Sequence, residues 1–272
     1  ISWGCVCSMN KKLLDKNIMV IDVGNTNTVF ALVNNQGIIN KWRMSTVAHR
    51  TADEYETYLN AFLSKMNALI LTDVIISSVV PAVNHELKSF ISNYFKISPK
   101  IIGDNISPKL SVSLDRPDEI GADRLVNSLA AIRIYGSPII VIDFGTATTF
   151  DVVDINNSYI GGIISPGVHL SMDALDKATA RLPRIAIVKP DKVIGTNTIS
   201  AMQSGIFWGY VGLLEGVITK IKKENNGDMK VIATGGLANL FKPYTDAIDF
   251  IDDDLTLKGI ALTWDFELDI FS

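Results

Sequence analysis

Cysteine is nearly missing from this chain. Of 272 residues only Cys5 and Cys7 are cysteines, and both precede the first patterned segment. The body therefore has no disulfide framework and no thiolate nucleophile, a usage that suits the cytoplasm. Cys5 and Cys7 make at most half a metal site, and as stray surface thiols they need no partner. Long apolar runs are missing too, since no stretch reaches the ~18–20 residues that cross a bilayer. Basic blocks are absent: 25 Lys and Arg stand against 29 Asp and Glu, for a formal charge of −4. Neither nucleic acid nor membrane is an expected partner. An acidic average still permits an anionic substrate, because a few Arg, Lys and main-chain N–H groups create a local positive site.

The familiar nucleotide loops are also lacking. No G-x-G-x-x-G follows a strand and no G-x-x-x-x-G-K-[ST] occurs, so the dinucleotide fold and the P-loop both fit poorly. His49, His85 and His169 are scattered without zinc-ligand spacing, and no G-x-S-x-G elbow is present. What the chain does have is a globular balance, 47% apolar and 20% charged, and length for one large domain or two compact ones.

One internal echo is informative. MVIDVGNTNTVFAL at 19–32 and IVIDFGTATTFDVV at 140–153 share an apolar run, an Asp, a Gly and a Thr/Asn-rich segment. Each reads as a β-hairpin with its turn at Gly24 or Gly145. Short Thr and Asn side chains at such tips do not fill a core, but they offer hydroxyls, amides and main-chain N–H groups to phosphate oxygens. Carboxylates beside glycine, threonine and asparagine suit a Mg²⁺-nucleotide site, for which one Asp in each half is enough.

The remaining segments predict an α/β chain. Thr51 and Glu54 form a capping box before a helix whose stripe is Tyr55, Tyr58, Leu59, Phe62, Leu63 and Met66. A strand at 73–80 stops at Pro81, which opens a helix with Leu87, Phe90, Ile91 and Tyr94 inward. Residues 101–118 read as irregular, and a helix over 121–135 is expected to turn Leu125, Leu129 and Ile132 inward. In the second half Thr198 is expected to cap a long helix with Ile199, Met202, Ile206, Leu213, Val217 and Ile221 inward. Gly205, Gly209, Gly212 and Gly216 lie on a stripe that would let another backbone approach. MKVIATGGLANLF reads as strand, turn and helix, and a last helix is expected around 255–262. The four tryptophans read as packing residues. The expected domains are 19–134 and 135–272, with residues 1–18 an extension or cloning remnant and Met19 the more natural start.

The segment DRPDEIGADR at 115–124 gathers Asp118, Glu119, Asp123 and Arg124 at a helix start. Asp123 and Arg124 suit a base and an anion clamp, one taking a proton from an alcohol and the other holding a carboxylate or phosphate. Acidic residues are also favoured at helix starts for electrostatic reasons alone.

At this point a resemblance enters. IDVGNTNT at 21–28, SSVVP at 77–81, RPDEIGADR at 116–124, IDFGTATTFD at 142–151 and GGIISPGVHLSMDAL at 161–175 occur in that order. LPRI at 182–185, IGTNTISAMQSGIFWGYVGLLEG at 194–216 and ATGGLA at 233–238 follow. Together they resemble the bacterial type III pantothenate kinases, within the actin, hexokinase and Hsp70-like ATPase superfamily. The resemblance implies two tandem ribonuclease-H-like domains with a cleft between them, a homodimer, and ATP-dependent phosphorylation of pantothenate, the first step of coenzyme A biosynthesis. It implies that Asp22 acts through a Mg²⁺ and phosphate shell, with Val23, Gly24, Asn25, Thr26, Asn27, Thr28 and Val29 around the phosphates. Thr146 and Thr148 would serve from the second hairpin. Asp123 matches the general base, while Gly121, Ala122, Arg124 and, near the subunit interface, Thr198 match pantothenate contacts. Asp143 matches the ligand of a monovalent cation, K⁺ or NH₄⁺. The chain departs from the family in having Leu114 where an aromatic residue is common. Two alternatives stand beside this reading: a kinase or phosphohydrolase of the same superfamily with another small substrate, and a non-catalytic regulator that keeps the fold.

Overall fold

The structure, a computed structural model, describes residues 17–63, 71–178, 185–225 and 227–264. In chain order the elements of the first half are β1 (Asn17–Val23), β2 (Asn27–Asn34), β3 (Gly37–Ser45), α1 (Ala52–Leu63), β4 (Leu71–Ser78), α2 (Pro81–Phe95), β5 (Lys100–Ile101), β6 (Ser111–Val112) and α3 (Ala122–Tyr135). There follow β7 (Ile139–Phe144), β8 (Ala147–Val153), β9 (Ser158–Pro166), α4 (Val168–Ala178), α5 (Thr198–Glu224), β10 (Lys230–Gly235), α6 (Ala238–Phe241), β11 (Phe250–Ile251) and α7 (Leu255–Thr263). The sheets run β3-β2-β1-β4-β5 and β11-β10-β7-β8-β9-β6. In each, an antiparallel three-strand meander is followed by parallel strands on the other side of its first strand. The sequence echo is thus an echo of topology.

Alternation along the strands decides what each sheet face meets. Met19, Ile21, Val23, Phe30, Val74 and Ile76 pack with Tyr55 and Leu59 of α1 and Leu87, Phe90 and Ile91 of α2. The opposite face, Ile18, Val20, Ala31 and Ile75, packs with Val126 of α3 and Leu257, Ile260 and Ala261 of α7. The second sheet repeats the scheme: Ile140, Ile142, Phe150 and Val231 pack under α5 and α6. Its other face, Ile139, Val141 and Ile232, meets Ala130 and Ala131 of α3. Helices α3 and α7 therefore form a middle layer between the sheets. They cross so closely that a Cβ on Gly259 would collide with the Val126 carbonyl, so glycine is required there.

Several expectations need correction. Strand β1 starts at Asn17, and Ile18 is fully buried, so the fold begins before Met19. The inward residues of α3 are Val126, Leu129, Ala130 and Ala131, while Leu125 and Ile132 are only partly buried, because a helix between two sheets buries more than one stripe. On α5 the buried set is Ser204, Ile206, Phe207, Tyr210, Val211, Leu214, Ile218 and Ile221; Ile199 is exposed. Its N-cap is Asn197, in a capping box with Ser200, and Thr198 is the first helical residue. Tyr58, Phe62 and Tyr94 are exposed rather than inward, and Met66 lies outside the described residues, as do 182–184 of the LPRI segment. The Thr51–Glu54 capping box is present, with Thr51 N–H donating to Glu54 Oε2 at 2.8 Å. Trp42, Trp208 and Trp264 pack against the hydrophobic clusters. Strand β6 joins the second sheet from the first half, and α7 returns to the first, so the halves exchange elements across residue 135.

Candidate active site

The two hairpins turn where expected. Gly24 N–H donates to the Asn27 carbonyl at 3.0 Å and Gly145 N–H to the Ala147 carbonyl at 3.1 Å, closing both tips. Although Thr26 and Thr146 are 120 residues apart, their hydroxyl oxygens lie 3.1 Å from one another. The tips of the two sheets therefore face each other directly. Asn25, Thr26, Asn27 and Thr146 are exposed there.

Neighbouring residues brace both tips. Thr46 on the strand side of β3 donates to the Gly24 carbonyl at 2.7 Å and exchanges a 2.9 Å hydrogen bond with Thr28. Gly167 N–H donates to the Thr146 carbonyl at 3.1 Å, tying the start of α4 to the second tip. Behind that tip Tyr210 OH donates to the Pro166 carbonyl at 2.6 Å and lies 2.7 Å from Thr148 Oγ1, which donates to it. Thr28 and Thr148 are thus fully buried and their hydroxyls engaged within the protein; they support the tips and do not face the space between them. Val23 likewise points into the core, and Val29 packs partly buried against the middle layer.

Under the tips three carboxylates converge: Asp22 at the end of β1, Asp143 at the end of β7, and Asp123 in the first turn of α3. Each is only partly exposed, but the surrounding protein displaces most water. Burial, then Asp123, then Asp143 push Asp22 up to about 7, and the nearby Arg43 opposes this. Asp143 is pushed up to about 7 by burial, then by Asp123 and Asp151, while a 3.3 Å hydrogen bond from Asn127 Nδ2 opposes it. Burial also raises Asp123, against its hydrogen bond from the Arg124 N–H at 2.9 Å. Gly121 is the N-cap of α3 and supplies no side-chain cap, and Asp123 lies in the first turn, at the positive end of this helix. Ala122 packs in the middle layer beside it.

Arg124 extends from the same turn. Its Nε donates to Asp151 Oδ1 at 2.7 Å, and Asp151 is fully buried. Asp118 and Glu119 do not join the cluster: both are exposed and lie beside Arg116. Nor does Thr198. It is exposed at the start of α5, where it lines a shallow depression of about 610 Å³ together with Leu175, Asn197, Met202 and Gly205 among others. Among the described residues no contact joins it to the aspartates. Leu114 lies by β9, its Cδ2 3.9 Å from where a Cβ on Gly161 would stand.

The sequence profile of type III pantothenate kinases matches residues 18–220. The chain belongs to this family. A type III pantothenate kinase of Paramagnetospirillum magneticum is 53% identical over 246 residues, covering 89% of this chain and 95% of that one. The Rhodospirillum rubrum enzyme of the same name is 51% identical, covering 90% and 96%. Among solved structures, a protein from Campylobacter jejuni described as a Baf family transcriptional activator matches with a TM-score of 0.52 at 19% identity, covering 91% and 97%. The activator of 2-hydroxyisocaproyl-CoA dehydratase from Clostridium difficile, solved with ADPNP, matches with a TM-score of 0.50 at 12% identity, covering 92% and 94%. At such identities these two structures speak for the fold alone, an α/β chain with two sheets.

Five residues of the site region escaped the sequence reading. Arg43 lies on β3 opposite Val29, and Thr46 follows that strand. Asn127 and Tyr210 are helix residues whose polar groups are buried, which no linear pattern marks. Asp151 had a legible signal, since a carboxylate in the apolar run FDVV requires a buried partner.

Proposed function

We propose that this chain transfers the γ-phosphoryl group of ATP to the primary hydroxyl of pantothenate, giving 4′-phosphopantothenate, the first step of coenzyme A biosynthesis in the cytoplasm. The observation that carries this reading is the meeting of the two hairpin tips, Thr26 against Thr146 at 3.1 Å, above Asp22, Asp123 and Asp143. The repeated strand order supports two ribonuclease-H-like domains clasping one nucleotide. The exposed tip residues Asn25, Thr26, Asn27 and Thr146, with the N–H groups beside Gly24, are the phosphate donors. Val23 and Val29 set the strand ends, and Thr28 and Thr148 act from behind.

Asp123 is the general base. Its Oδ1 accepts the Arg124 N–H, leaving Oδ2 to take the alcohol proton, and burial makes the carboxylate a stronger base than usual. The alcohol oxygen bonds to the γ-phosphorus as the bond to the β,γ-bridging oxygen breaks and ADP departs. Gly121 and Ala122 shape the wall beside the reacting hydroxyl, and Arg124 receives the substrate's carboxylate.

The donor set fits two cations. Asp22 alone suits Mg²⁺, which takes few protein carboxylates beside phosphate and water, and among the described residues no group of three metal-binding side chains is placed to hold it unaided. Asp143 lies beside Asn127, whose buried Oδ1 has no hydrogen-bond partner, an acceptor suited to K⁺ or NH₄⁺. When bound, such cations supply positive charge that offsets the charge spread over the transferred group. A homodimer is part of the same reading. A Cβ at Gly205, Gly209, Gly212 or Gly216 would meet nothing within 4 Å, and Ile194 and Ile199 are exposed just before them in the chain, so a second copy would cover them and bring in its Thr198.

The test is a panel of small alcohols given to the purified chain with ATP, Mg²⁺ and K⁺, reading ADP release. Turnover should be specific to pantothenate. Equal turnover of several other alcohols with none from pantothenate would sink the reading.

A further inference from the structure

We propose that Asp151 aims Arg124 and thereby sets how the anionic end of the substrate is held. The geometry is asymmetric. Asp151 sits in β8, fully buried, and its Oδ1 accepts both Arg124 Nε at 2.7 Å and Tyr159 OH at 2.7 Å. Its Oδ2 accepts Thr149 Oγ1 at 3.1 Å. The guanidinium's hydrogen bond is made through Nε, and among the described residues no acceptor is seen for Nη1 or Nη2. The guanidinium is 17% exposed and its carbon lies 5.8 Å from the centre of the Tyr159 ring. It is held at one nitrogen and offers its terminal pair, the geometry that grips a carboxylate in two parallel bonds.

The opposite strand is cut to fit. Gly162 pairs in register with Asp151, and a Cβ there would stand 2.5 Å from Arg124 Nη2. A side chain at 162 would crowd both the Phe150 carbonyl and the arginine arm. At Gly162 a Cβ would also stand 2.3 Å from the Phe150 carbonyl, so both the strand and the arm require glycine there, whereas Gly161 is set by its φ of +142°. Asp151 also cancels most of the arginine's charge where water is scarce. The arm therefore selects by directed donors more than by long-range attraction, which favours a planar carboxylate over a bare anion. Asp151 is a positioning residue: it touches neither substrate nor nucleotide.

This inference rests on Arg124 receiving the pantothenate carboxylate. The experiment is a double-substitution cycle in the full chain, with Michaelis constants for both substrates. Asp151→Asn should raise the pantothenate KM about 10- to 100-fold, the effect of losing an aimed hydrogen bond to a charged group. The ATP KM should stay within about twofold, because the phosphate tips are untouched. Arg124→Gln should raise the pantothenate KM similarly, and adding Asp151→Asn to it should cause no further loss. Should Asp151→Asn fold poorly, Tyr159→Phe removes only the hydroxyl that steadies Asp151 and should raise the same constant about 3- to 10-fold. Additive losses, or equal changes in both Michaelis constants, would overturn the role of Asp151 while leaving the substrate intact. Failure of the unaltered chain to phosphorylate pantothenate would instead overturn the substrate, and this inference with it.

Discussion

Replacing Asp123 by Asn separates chemistry from architecture in one step. The amide keeps the oxygen that accepts the Arg124 N–H at 2.9 Å, so the first turn of α3 retains its local hydrogen bond. What disappears is a group able to take the alcohol proton. Loss of a positioned base costs about 10²–10⁴ in rate, which corresponds to roughly 3–5.5 kcal/mol of barrier. Stability should move the other way. A carboxylate at a helix start contributes about 0.3–1 kcal/mol through the helix dipole. Against this, Asp123 is the largest source of charge repulsion for both Asp22 and Asp143, and each is pushed up to about 7 partly on its account. Removing its charge should relieve both, leaving the unfolding temperature unchanged or higher. The assay pairs kcat for phosphoryl transfer with thermal unfolding of the ligand-free chain. A near-normal kcat would remove Asp123 from the chemistry, and no substitute is at hand, since Asp118 and Glu119 are exposed beside Arg116. A marked loss of stability with the loss of rate would show that the residue chiefly holds α3.

Asp143→Asn should flatten the dependence of rate on KCl or NH₄Cl while most of the protein remains folded; an unchanged activation curve would take Asp143 out of the ion site. Asp22 and Asp143 both titrate higher when folded than the ordinary 3.8, so their contribution to stability is fully present below about pH 4 and is lost as pH rises through about 7. Ligand-free unfolding temperatures should accordingly fall between about pH 5.5 and pH 8, and less so in Asp143→Asn; a rise over that range would contradict the buried-carboxylate picture. Tyr210→Phe leaves Thr148 and the Pro166 carbonyl without their shared partner, which should cost about 1–3 kcal/mol and raise the ATP KM through a looser second tip. Denaturant unfolding and ATP titration check it, and a stable variant with an unaltered ATP KM would mean that the strut behind the tip does not matter.

Much of the architecture was legible because strands alternate and because the two hairpins repeat. The same alternation also held information that composition concealed. Thr148 shares its parity with Phe150 and Val152, and Thr28 with Phe30, so both belong to core-facing rows. Only Thr26 and Thr146, in the turns themselves, escape that rule. The helices were less legible for a different reason. Inferring one stripe assumes one buried face, which holds for α2 but not for α3, where Val126 meets the first sheet and Ala130 and Ala131 the second. On α5 the wide buried surface takes in Phe207, Tyr210 and Leu214, displacing the inferred stripe. The carboxylate cluster joins residues 22, 123, 143 and 151 only because α3 lies between the sheets, and that arrangement is a property of packing rather than of any segment.

The charge balance of the site bears on the cation dependence proposed for it. Asp151 is neutralised by Arg124, and Arg43 offsets part of the charge of Asp22. When ionised, Asp22, Asp123 and Asp143 still leave a net negative floor beneath the tips, and the raised protonation of Asp22 and Asp143 reports the cost of holding it. A nucleotide triphosphate brings further negative charge into the same low-dielectric space, where like charges repel far more strongly than in water. The N–H groups of two hairpin turns and the positive end of one helix supply only partial charges. Occupancy therefore requires that cations enter with the phosphates or that carboxyl groups remain protonated. Protonation of Asp22 or Asp143 would take away the cation ligands proposed for them, so the proposed mechanism needs the first route. The crowding of carboxylates thus makes the empty cleft less stable, and under the proposed function it would couple cation uptake to nucleotide binding.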